Sequence, residues 1–217
     1  MDRRVALKNL GLSMMGYVIA APTFLSVVQS CKDTTVENWT PILLSKQQGA
    51  ALGQILDVLL PKTEDSPSAT EAKVHIFMDE YYSISKTDEE KAFFKMRIDA
   101  FMDAVRKKAG KDVGADVTPA DIELVLAFAL KPSDAQNKAN NEAIKTYMDA
   151  INDGKTATLN SDAAIASLAN ELRSFGIYAY KSSEIVAKNH LAYNPIPGTY
   201  IACGSVEELT GGKAWYQ

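Results

Sequence analysis

From residue 45 onward, apolar positions return every three or four residues, the period of helices that bury one face. Ser45-Lys46-Gln47-Gln48 reads as a capping box, in which the serine oxygen accepts from a free backbone N–H and the glutamine reaches back. Leu52, Ile55, Leu56, Leu59 and Leu60 follow on one face until Pro61 stops the run. Ser68-x-x-Glu71 predicts the start of a second helix, carrying Val74, Phe77, Met78 and Tyr81. Thr87-x-x-Glu90 opens a long third helix. Phe94, Ile98, Phe101, Met102 and Val105 lie on one side of it, with Lys95, Arg97, Arg106 and Lys107 mostly elsewhere. After a loop around Gly114, Thr118-Pro119 pairs an N-cap with proline at the first helical position, and Ile122, Val125, Leu126, Ala129 and Leu130 face one way. Ser133-x-x-Gln136 starts a helix with Ala143, Ile144, Tyr147, Met148 and Ile151. A last long helix begins near Ser161-Asp162, bears Ile165, Leu168, Leu172 and Phe175, and is expected to run to about Lys188. No run alternates with the period of two that marks a strand. The pattern predicts an all-α single domain of about six helices over residues 45–217.

Both ends break the pattern. The chain opens with Arg3-Arg4-x-x-Leu7-Lys8, and no charge follows until Lys32. A basic start followed by a moderately apolar stretch, diluted by Gly11, Ser13, Gly16 and Pro22, is the layout of an export signal over residues 1–30. Arg3, Arg4, Leu7 and Lys8 resemble a twin-arginine signal, which serves proteins exported already folded. An ordinary secretory signal with two arginines is the other reading. Val28-Gln29-Ser30-Cys31 resembles a bacterial lipobox, so Cys31 is the expected lipidation site and residues 31–44 a tether. A cysteine that falls near a cleavage site by chance is the alternative. At the other end, two prolines, several glycines and Tyr193, Tyr200, Trp215 and Tyr216 rule out a regular helix. This irregular aromatic-rich tail either packs on its own bundle or lies on a partner, where Tyr and Trp supply much of the binding energy.

Composition narrows the function. The net charge is −4 over 217 residues, which disfavours nucleic acid as a partner. Removing residues 1–30 takes three basic and one acidic residue from 23 and 27, leaving an acidic domain of −6. Two cysteines and two histidines cannot build a four-cysteine zinc site or a histidine-rich metal centre. No phosphate-binding glycine loop, C-x-x-C-H or H-E-x-x-H occurs, and no nucleophile–base pair is visible. His75 reads as a surface or partly packed residue, His190 as a cation near a helix C-terminus. Acidic runs at Glu64-Asp65, Asp88-Glu89-Glu90 and Glu207-Glu208 fall at helix starts or in loops. No catalytic residue, cofactor-binding residue or metal ligand is expected on this chain. Cys203 is either a buried small hydrophobe or a thiol at an interface.

Two stretches carry a family resemblance. Residues 54–79 place a helix ending Leu59-Leu60-Pro61 before Asp65-Ser66-Pro67-Ser68-Ala69 and an Ala72-x-Val74 helix closing on Asp79. Tyr193-Asn194-Pro195-Ile196-Pro197-Gly198 leads through Tyr200 and Cys203 to Ala214-Trp215. Both resemble the gluconate 2-dehydrogenase subunit 3 family. The resemblance implies a non-catalytic small subunit whose catalytic partner is a large FAD-dependent oxidoreductase of the glucose–methanol–choline type. That partner oxidises a sugar, polyol or sugar acid and passes electrons to a cytochrome c or another acceptor. The small subunit would serve export, stabilisation and assembly from the periplasm or cell envelope, held to the membrane by lipid on Cys31. Tyr193, Pro195, Pro197, Gly198, Tyr200, Cys203 and Trp215 are then the expected partner contacts. The rival from another class is a free-standing helical envelope lipoprotein that binds a ligand or scaffolds a complex.

Overall fold

Ser45, Thr87, Thr118 and Ser133 each cap a helix, as their spacing predicts, and in every case the residue three positions on returns the bond. At the first of them, Gln48 N–H donates to Ser45 Oγ at 3.1 Å and Ser45 N–H donates to Gln48 Oε1 at 3.1 Å. Together with Asn160, which accepts from Ala163 N–H, these caps start α1 (Lys46–Leu59), α3 (Asp88–Ala109), α4 (Pro119–Ala129), α5 (Asp134–Asn152) and α6 (Ser161–Ser182). The remaining helices are α2 (Val74–Ser85), α7 (Glu184–Asn189) and α8 (Val206–Thr210). The structure, a computed structural model, describes residues 39–112, 115–194, 196, 198–199, 201 and 203–216. Arg3, Arg4, Leu7, Lys8, Cys31, Pro195, Pro197 and Tyr200 lie outside the described residues. The fold is all-α, and the one β-type pairing among the described residues is an isolated bridge between Ala192 and Trp215.

The core forms where large side chains meet small ones. α6 buries Ala163, Ala164, Ala166, Ala169, Gly176 and Ala179 beside Ile165, Leu168 and Leu172. Such a face lets neighbours approach closely: a Cβ on Gly176 would stand 3.0 Å from Leu56 Cδ2 of α1. α3 fills the space with Phe94, Ile98, Phe101 and Val105, all fully buried. α6 packs against α1, α2, α3, α4, α5 and α7, so it is the hub of the bundle. α5 lies outside, with its expected apolar positions Ala143, Ile144, Tyr147, Met148 and Ile151 only half-buried.

Four expectations are corrected. Ser68 and Glu71 do exchange capping bonds, but they close a turn rather than start α2. Lys73 follows with φ +58°, a left-handed conformation that separates that turn from the helix. α2 then turns Val74, Met78 and Tyr82 into the core, leaving Phe77 and Tyr81 at the surface. The last long helix ends at Ser182, because Ser183 is extended (ψ 143°) and its hydroxyl bonds Tyr180 O, so residues 184–189 form a separate short helix. Arg97 sits within the buried side of α3 rather than on the solvent face. The tail also contains a single turn of helix, α8, capped by Ser205 and Glu208.

Candidate functional site

The residues 54–79 knit the front of the bundle together. Asp57 of α1 accepts from Thr70 N–H at 2.8 Å and from Thr70 O–H at 2.7 Å, which fixes the turn before α2. Tyr180 of α6 donates its hydroxyl to Pro67 O at 2.7 Å, fixing the same turn from the other side. Asp79 is fully buried and accepts from three successive backbone N–H groups: Ile42 at 2.6 Å, Leu43 at 3.2 Å and Leu44 at 2.8 Å. The described end of the segment expected as a tether, residues 39–44, is therefore strapped onto the bundle. Trp39 meets His75 edge-to-face with ring centroids 5.0 Å apart. Trp39 and Pro41 also close over Gly49, where an added Cβ would lie 2.9 Å from Pro41 Cγ and 3.0 Å from Trp39 Cζ3. His75 is buried, not at the surface, and its Nδ1 has no hydrogen-bond partner in the protein. Burial holds its imidazole below the ordinary histidine range, against the opposing pull of Asp57 and Asp79.

A second polar cluster lies under a recess of about 420 Å³ between α2, α3, α5 and α6. Arg97 is only 5% exposed and pairs with Glu171 of α6. Its other bonds go to Ser167 Oγ at 3.3 Å and Phe93 O at 3.4 Å, and its guanidinium lies 4.2 Å from the centre of the Phe93 ring. Tyr82 donates its hydroxyl to the same carboxylate. Burial, then the Glu171 charge, pushes the Tyr82 phenol well above its ordinary range, so it stays a neutral donor. These groups satisfy one another and tie three helices; the arrangement is a structural brace.

Apolar surface is what the bundle presents outward. Phe77 and Tyr81 of α2 and Phe175 and Tyr178 of α6 form a continuous aromatic ribbon, with centroid spacings of 5.8 Å for Phe77–Tyr81, 5.0 Å for Tyr81–Phe175 and 5.9 Å for Phe175–Tyr178. The helical spacing of Phe77 and Tyr81 predicts a buried position for both, and the structure puts them at the surface. The spacing of 77 and 81, and of 175 and 178, does put each pair on one helix face.

The tail gives the second surface. Ala192 N–H donates to Ala214 O at 2.8 Å and Tyr216 N–H to Ala192 O at 3.2 Å, so the start and end of the tail clasp each other. Tyr193 and Tyr216 rings meet 5.2 Å apart above the clasp. Of the expected partner contacts, the clasp brings together Tyr193 and Trp215. Gly198, at φ +69°, and Cys203 sit in the loop it closes. Cys203 is exposed and has no disulfide partner among the described residues, so the buried alternative for this thiol is excluded. His190 is the C-cap of α7, with its backbone N–H on Val186 O.

Among the described residues no group of three or more His, Cys, Asp or Glu side chains is placed to hold a metal ion, and no helix is long and apolar enough to cross a membrane. Comparison with protein families decides the identity: the family described as gluconate 2-dehydrogenase subunit 3 matches residues 46–198. The chain belongs to the gluconate 2-dehydrogenase subunit 3 family. The match begins with α1 and ends in the first part of the tail, so it takes in α1, α2 and the pinned turn between them, the Arg97 brace and the aromatic ribbon. A member of this family is an accessory subunit of a dehydrogenase complex. Curated proteins and solved structures give no match.

Proposed function

We propose that this gluconate 2-dehydrogenase subunit 3-like chain is the non-catalytic small subunit of an exported FAD-dependent dehydrogenase. The partner is a large flavoprotein of the glucose–methanol–choline type that oxidises a sugar, polyol or sugar acid. FAD resides in that partner, and electrons leave it for a cytochrome c or another acceptor. The small subunit escorts the flavoprotein out of the cytoplasm through Arg3, Arg4, Leu7 and Lys8, stabilises it, and holds it at the envelope by lipid on Cys31.

One observation carries the reading beyond the family match. After Ala187 no described residue is buried, yet the tail bears Tyr193, Ile196, Ile201, Val206, Trp215 and Tyr216, each at least a third exposed. A tail whose backbone is clasped into shape while its large side chains face solvent is suited to bury them on another chain. Tyr193, Pro195, Pro197, Gly198, Tyr200, Cys203 and Trp215 are its proposed contacts. Co-expression with a large flavoprotein encoded beside it tests the proposal. The expected result is a complex that co-purifies with a flavin absorbance spectrum and loses the flavoprotein when Tyr193 and Trp215 are both replaced by serine. A lipidated chain that purifies alone, stable and monomeric, from cells that also make that flavoprotein would favour a free-standing envelope lipoprotein.

A further inference from the structure

The strap over His75 is built from two devices on one helix face. His75 and Asp79 are four residues apart on α2, and both act on residues 39–44. Asp79 grips the strap through its backbone, whereas His75 supports it through the Trp39 ring. The strap itself carries no titratable side chain, being Trp-Thr-Pro-Ile-Leu-Leu. The charged groups that act on the imidazole are Asp57 on α1 and Asp79 on α2. Asp57 is engaged by Thr70, and Asp79 by the strap.

We propose that His75 is a proton-operated latch for the strap: the neutral imidazole seats residues 39–44, and the imidazolium unseats them. An imidazolium needs acceptors or water at both nitrogens. Nδ1 is buried against Trp39 with no acceptor from the protein. The nearby carboxylates do not remove the conflict. Asp79 already holds the N–H groups of Ile42, Leu43 and Leu44, so any turn of its carboxylate toward the new cation weakens its grip on the strap. The sign is fixed by linkage. The seated state disfavours the proton, so the open state binds more of it, and acid drives opening. Seating is complete above the pKa of a solvated histidine, about 6.5, and is lost as pH falls below it. Opening releases six residues and lengthens the connection between the bundle and whatever precedes Trp39 by up to ~20 Å, at about 3.3–3.6 Å per extended residue.

Hydrogen exchange on the full chain, with and without His75→Gln, tests the latch. Between about pH 7.5 and 5.5, the Ile42, Leu43 and Leu44 amides, corrected for intrinsic exchange, are expected to lose about tenfold in protection. Amides of α3 and α6 keep theirs, and His75→Gln abolishes the pH dependence. Unchanged protection in the wild type overturns the proposal. So does an equal loss in His75→Gln, or a loss shared by the whole bundle. Trp39 emission in a Trp215→Phe background gives a second reading that needs no change at His75. A midpoint below the solvated-histidine pKa but above about 5 supports the latch, and one below about 5 overturns it.

Discussion

Arg97 is the residue whose replacement most sharply tests how this bundle is held. It is 5% exposed, and its partner Glu171 has a side chain 24% exposed. Arg97→Met keeps much of the volume over Phe93 but strands the Glu171 carboxylate with only the Tyr82 hydroxyl. Breaking a fully buried pair by removing one partner costs about 3–5 kcal/mol; the partial exposure of Glu171 lets water recover some of this, so we expect about 2–4 kcal/mol. With a urea dependence near 2–3 kcal/mol per M, the unfolding midpoint should fall by about 1 M at neutral pH. The double variant Arg97→Met with Glu171→Leu removes both charges and should be more stable than Arg97→Met alone, since no unpaired charge remains. Urea unfolding followed by circular dichroism measures all four corners of the cycle. A single-variant loss below about 1 kcal/mol, or a double variant equal to the sum of the singles, would show that the brace is not a coupled buried pair.

Other outcomes are expected. Gly49→Ala should unseat the strap at every pH while leaving bundle stability nearly unchanged, because the new Cβ collides with Pro41 and Trp39 rather than with the core; exchange at residues 42–44 reads this directly. Replacing Arg3 and Arg4 together by lysine should retain the protein and its flavoprotein in the cytoplasm, and normal export in a fractionation experiment would remove the folded-export argument. Cys31→Ala should move the mature protein from the membrane to the soluble fraction, and membrane association that survives high salt would contradict the anchor. If Cys203 bridges to the partner, a non-reducing gel of the complex shows one band at the summed mass, split by reductant and lost in Cys203→Ser; two bands without reductant sink the bridge.

The parts of this fold legible in the sequence are those decided within one helical turn. The boxes at Ser45, Thr87, Thr118 and Ser133 are local devices, and each starts its helix as the spacing predicts. The box at Ser68 shows the limit. Its bonds form, but Asp57 and Tyr180 pin the turn from 13 and 113 residues away, and the chain must pass through a left-handed Lys73 before α2 can begin. No window around Ser68 contains those partners. Burial of Arg97 is illegible for a similar reason: a charge in an apolar stripe reads as solvent-facing unless its counter-charge, on α6, is known. Of the candidate surface, the exposure of Tyr193 and Trp215 accords with an aromatic segment broken by proline and glycine. The ribbon of Phe77, Tyr81, Phe175 and Tyr178 was hidden because aromatic residues at helical spacing read as core.

The position of α6 has a consequence for how the chain is born. The helix against which α1 to α5 pack is encoded last among the long ones. A ribosome adding ~5–20 residues per second delivers Ser182 on the order of ten seconds after α1. Until then α5 has no wall to lie on, and α1, α3 and α4 have only one another to pack against, with the faces they turn toward α6 left open. If residues 1–30 direct folded export as proposed, completion of α6 would be the event that makes that signal usable. On that reading, synthesis, folding and export would follow one another in the order the topology sets.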